Sequence, residues 1–73
     1  MSQYSASTLD VTANYNGENF PCEITNVSWN GTSFNGNIDG INVNGVDNNG
    51  NIIASGSYFG HKYTASGVVT GWN

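Results

Sequence analysis

Charge is nearly missing from this chain. Only 8% of its 73 residues are charged, arginine is absent, and Lys62 is the one cation besides His61. Nucleic-acid binding draws most of its affinity from several Lys and Arg side chains that neutralise phosphates, so that class of partner is excluded. Attraction to anionic membrane surfaces fails for the same reason. Long apolar runs are missing too: none approaches the roughly 20 residues of a spanning helix, so membrane insertion is not expected. Met1-Ser2-Gln3-Tyr4 lacks the basic-then-apolar order of a signal peptide.

Cysteine is scarce. With Cys22 alone, no disulfide can form within the chain, and no Cys/His cluster is present to hold zinc. A domain of this size buries only about 60% of the surface its unfolded chain exposes, which leaves stability marginal. Self-association is the remaining common route to stability for a small scaffold, so a homo-oligomer is expected. There is room for one domain, residues 1–73, and no second core.

Asparagine and glycine are abundant instead, with thirteen Asn and ten Gly. They meet as Asx-Gly pairs at Asn16-Gly17, Asn30-Gly31, Asn35-Gly36, Asp39-Gly40, Asn44-Gly45 and Asn49-Gly50. Both residue types tolerate the positive φ that a two-residue type I′ hairpin turn needs, so alternating apolar residues around them signal hairpins. Helix is disfavoured because Gly and β-branched residues interrupt every stretch.

The first hairpin fixes a register. With Asn16-Gly17 as the loop, Tyr15 faces Glu18, Ala13 faces Phe20, Val11 faces Cys22 and Leu9 faces Ile24. Every second pair is then apolar, as one buried face requires. Around Asn30-Gly31, Val27 falls opposite Phe34 and Trp29 opposite Thr32. The buried phase changes between Ile24 and Val27, and one extra residue near Thr25-Asn26 restores it as a β-bulge. A second phase change, at Gly40, suggests another bulge. Either Asn44-Gly45 or Asn49-Gly50 closes the next hairpin, and the last pairs Tyr58 with Tyr63 and Ile52 with Val69.

The expected fold is all-β: five antiparallel strands, or six, in an up-and-down meander over about 4–15, 18–29, 32–43, 51–58 and 63–72. Small residues at inward positions (Gly36, Gly40, Ala54, Gly56, Ala65, Gly67) permit sharp coiling. They imply a small closed barrel, or a sheet packed tightly on a partner.

Catalysis is not expected. Cys22 faces the core, where a thiol is inert, and His61 sits at a hairpin tip. The five carboxylates are scattered, although Asp39 and Asp47 could converge at one sheet end. Asp47-Asn48-Asn49-Gly50-Asn51 offers oxygen ligands of the kind Ca²⁺ prefers, but a turn is the simpler reading, so neither metal nor cofactor is assigned. The Asn-Xaa-Ser/Thr triplets at Asn26 and Asn30 follow from asparagine abundance.

Carbohydrate is the ligand that such a surface suits best. Sugars present C–H faces to flat aromatic rings and hydroxyls to neutral amides and alcohols. Trp29, Trp72 and Tyr15 lie at strand ends, and Asn30 and Thr32 flank Trp29, so these five residues form the expected ligand site. The leading expectation is a non-enzymatic, lectin-like module, multivalent through homo-oligomerisation. The alternative is a structural or protein-interaction module, a self-assembling surface protein or acidic inhibitor, using a strand edge or sheet face. The polar, low-charge composition is compatible with an extracellular or surface setting.

Overall fold

A computed structural model describes residues 3–15 and 17–73, with the side chains of Gln3 and Tyr15 left outside the description. Six strands form a closed antiparallel barrel in which each strand follows its neighbour in sequence order. They are β1 (Leu9–Tyr15), β2 (Glu18–Asn30), β3 (Ser33–Ile38), β4 (Ile41–Asn48), β5 (Asn51–Tyr58) and β6 (His61–Trp72). The all-β meander and the barrel are as the turn pattern implied. Of the small residues expected inward, Gly40 is exposed in a turn, whereas Gly36, Ala54, Gly56, Ala65 and Gly67 lie on strands of the barrel. Closure at so small a radius depends on them: a Cβ added to Gly36 would lie 2.6 Å from Ile24 Cγ2, and one added to Gly67 would lie 2.7 Å from Val11 Cγ1.

The first hairpin has the register read from its sequence, from Leu9 opposite Ile24 to Tyr15 opposite Glu18. The turn residue Asn16 lies outside the described residues. The bulge near Thr25-Asn26 is present: pairing of β2 with β3 shifts between Thr25 and Ser28, and Asn26 takes a φ of 53°. The other expected bulge is a hairpin. Asp39 and Gly40 both have positive φ, Ile38 pairs with Ile41, and the expected strand 32–43 is split between β3 and β4. A chain reversal flips the burial phase just as a bulge does, so the apolar pattern alone did not separate them.

Three further details differ. The second turn is Gly31-Thr32, so Trp29 pairs with Phe34 and not with Thr32. Gly31 supplies the positive φ at the first central position, the demand of a type II′ turn. Of the two candidate turns around β4, Asn49-Gly50 closes the hairpin, whereas Asn44 and Gly45 lie within the strand. The last loop is only Phe59-Gly60, with Tyr58 opposite His61 and Ile52 opposite Gly67. That shift preserves which side chains face inward.

β1 begins at Leu9, not near Tyr4, because the residues before it close one barrel end. A short 3₁₀ turn, Gln3–Ser5, is followed by Ala6, which is buried. The bulge interrupts the β2 ladder, and the Val27 N–H donates instead to the Ser7 carbonyl at 2.9 Å. The core lies under this cap and comprises Ala6, Leu9, Val11, Ile24, Val27, Phe34, Val43 and Ile52.

Candidate functional site

The two ends of the barrel are built differently. At the capped end, Trp29 projects inward from β2. Its ring lies 5.3 Å from Tyr4, 5.2 Å from Phe34 and 6.1 Å from Trp72, centre to centre. Its indole N–H donates to the Ala6 carbonyl at 2.8 Å. Both the ring and its polar handle are thus engaged within the protein. Trp72 is held in the same cluster, 6.1 Å from Tyr4.

The sequence-derived site residues are only partly gathered here. Trp29 and Asn30 line one shallow cleft of about 290 Å³ with Ser28, Ser33, Phe34, Asn35 and Asn44. Thr32 is exposed in the adjoining turn, and Trp72 stands behind Trp29 inside the barrel. Tyr15 ends β1 at the far end of the barrel, and its side chain lies outside the described residues.

Asp47 is also at the capped end. It is only 2% exposed, and its Oδ1 accepts the Gly50 N–H at 3.0 Å, which ties the β4–β5 turn. Its Oδ2 meets no donor among the described residues. Asp39 lies at the opposite end of β4, so these two carboxylates do not converge. No group of three or more His, Cys, Asp and Glu side chains gathers among the described residues.

At the open end, the interior is not filled. A cavity of about 380 Å³ is lined by Ile38, Ile41, Val43, Ala54, Tyr58, Tyr63 and Ala65, together with Gly56, Ser55 and Thr64. The register explains the space: Ala54 faces Ala65, and Gly56 faces Tyr63, so three of these four facing positions carry little or no side chain. None of the lining residues carries a charge at neutral pH. The β5–β6 hairpin also outruns its neighbours. Among the described residues, pairing with β4 stops at Gly56 and pairing with β1 at Ser66, so the tip extends beyond both ladders.

Phe59 occupies that tip. It is 83% exposed, lies against Tyr58 with ring centres 4.4 Å apart and the planes tilted by 53°, and has a φ of 51°. A bulky residue in the left-handed region is a conformational outlier. The equivalent positions of the other two described type I′ turns are filled by Asp39 and Asn49, which adopt that conformation readily. Phe59 thus carries a conformational cost that Asp39 and Asn49 do not. The signal is present in the sequence, since Phe59-Gly60 breaks the Asx-Gly rule, but pairing Tyr58 with Tyr63 hides it inside a longer tip.

The nucleophile candidates stay apart. Burial, with the Asp39 carboxylate a smaller contributor, pushes the Cys22 thiol above its ordinary range, which keeps it protonated near neutrality. His61 is exposed beside the tip. Comparison with protein-family models, curated proteins and solved structures finds no match to this chain.

Proposed function

We propose that this chain is a non-enzymatic binding module whose site is the open end of the barrel, and that its ligand is a neutral molecule with an apolar body. The observation that carries this reading is the uncharged cavity beneath an aromatic tip held at a conformational cost. Its volume lies within the range of small-molecule sites. The Tyr58 and Tyr63 hydroxyls offer hydrogen bonds at the rim, and the lining offers nothing to pair with an ionic ligand. The strand residues beside its mouth, Asn42, Ser57 and Thr64, are polar and exposed.

A neutral fluorescent probe, N-phenyl-1-naphthylamine, tests the site. It is expected to bind saturably at one per chain, and Ala65→Leu, which fills the cavity, is expected to weaken binding at least roughly tenfold. Absence of saturation, or equal binding by Ala65→Leu, would overturn the reading.

Carbohydrate binding is a second reading, supported by one observation: the neutral amides and hydroxyls of Ser28, Asn30, Ser33, Asn35 and Asn44 surround the accessible edge of Trp29. A glycan array decides it. Because Trp29 also seals the core, Asn35→Ala is the informative variant: specific sugar binding lost in this variant supports the cleft. A flat array removes the reading.

A further inference from the structure

We infer that the outer face of β4, β5 and β6 docks onto the same face of a second copy of this chain. The apolar residues of this face, Val46, Ile53 and Val68, are not among those that line the open-end cavity, and the inference does not rest on what the cavity binds. The face carries an apolar stripe that the barrel does not use. Val46 and Ile53 stand directly opposite each other across β4 and β5. Ile53 faces Ser66 on β6, which makes Val68 its diagonal neighbour. These three side chains are 50%, 64% and 51% exposed, with uncharged Asn44, Asn48, Asn51, Ser55 and Ser66 around them.

Charge distribution selects the occupant. Two copies with a net charge of −4 each repel unless their carboxylates are kept apart. Asp10, Glu18 and Glu23 lie on β1 and β2, Asp39 lies in the β3–β4 turn, and Asp47 is drawn inside. The outer face of β4–β6 has no carboxylate, and its charged residue, Lys62, lies beside the tip. Placing two such faces together therefore keeps both acidic faces on the outside of the pair. A standard interface takes about 800 Å² from each partner. Of a total surface of 4678 Å², three of the six barrel strands can supply that. A twofold axis through the stripe would set Ile53 near its own copy, the self-complementary arrangement of an isologous dimer.

Sedimentation velocity across a dilution series tests this, with circular dichroism to verify folding. The wild-type chain is expected to be a concentration-dependent dimer. Ile53→Lys and Ile53→Glu are each expected to sediment as monomers, with dimer affinity lowered at least roughly tenfold. Mixed together, they are expected to regain the dimer as a heterodimer, an outcome that general destabilisation would not produce. Should either variant fail to fold, Val46→Ser with Val68→Ser supplies the same readout with a milder change. A wild-type chain that stays monomeric at the highest concentration would overturn the inference. So would a dimer indifferent to these substitutions, or one broken by Tyr63→Ser alone, which would move the interface to the open end.

Discussion

The capped end and the open end of this barrel are made from the same staves, yet one is packed and the other hollow. The difference comes down to which residues sit opposite each other. Trp29 faces Phe34, with Trp72 and Tyr4 closing over them, whereas Ala54 faces Ala65 and Gly56 faces Tyr63. In a chain with no disulfide, stability must be concentrated somewhere, and the aromatic end holds it. The other end is then free to keep empty volume and strained backbone.

The largest expected effect follows directly. Trp29→Ala removes three ring contacts and leaves the Ala6 carbonyl without its donor, so it should cost about 3 kcal/mol. Tyr63→Ala, at the half-exposed rim of the cavity, should cost less than about 1 kcal/mol. Urea unfolding of both variants makes the comparison. Equal losses would mean that the two ends share the stability and that the contrast drawn here is wrong.

The surroundings of Gly45 and of Ala65 sharpen the same contrast one step lower. A Cβ at Gly45 would sit 2.6 Å from Phe34 Cζ and 2.8 Å from the Ile53 carbonyl oxygen, under the cap where nothing can yield cheaply. Gly45→Ala should therefore destabilise by roughly 1–3 kcal/mol. Ala65→Leu adds more atoms but places them in the cavity, and its melting temperature should stay close to that of the parent. If Ala65→Leu were the worse of the two, the open end would be as tightly packed as the core.

Much of this architecture was legible in the residues, and the failures have a common cause. The Leu9–Ile24 register followed from alternation, and the bulge near Asn26 from a phase shift that no hairpin turn could explain there. The same phase shift at Gly40 came from a reversal, because a two-residue turn and a bulge leave identical traces in an apolar pattern. For the site, Trp29 and Asn30 do share a cleft, but the Tyr4–Ala6 segment packs on the Trp29 ring and takes its indole N–H, which ties the side chain into the core. Period-2 patterning gives the face of a side chain and not which end of a barrel is closed. The Tyr4–Ala6 segment decides that, and nothing in its sequence marks it as a cap.

Cys22 gives a smaller effect. Its thiol is held above the ordinary range in the folded chain by burial and by Asp39, so ionisation favours the unfolded state. The stability linked to this group is fully present below the unfolded thiol's pKa, and it declines as pH rises from there through the higher folded value. Iodoacetamide alkylation of the native protein should consequently reach half its limiting rate at a higher pH than alkylation in urea. Asp39→Asn should bring the two curves closer without merging them, because burial is the larger cause. Coincident curves for the parent protein would show that Cys22 is effectively in water.

The smallest change in stability is also the one that separates the two ends most cleanly. Phe59 holds a φ of 51° at a position filled by Asp39 and Asn49 in the comparable turns, and 83% of its surface is exposed. Phe59→Asn relieves the strain and gives up the ring contact with Tyr58, so it should raise stability by about 0.5 kcal/mol. If the tip is retained for ligand, the same substitution should weaken binding of the neutral probe severalfold, with opposite signs for stability and affinity. At the capped end no substitution is expected to behave this way, since there the side chains that could bind are the ones that hold the fold together. A Phe59→Asn protein that is more stable and binds the probe unchanged would leave the strained tip without a purpose at the open end and would remove the strongest support for a site there.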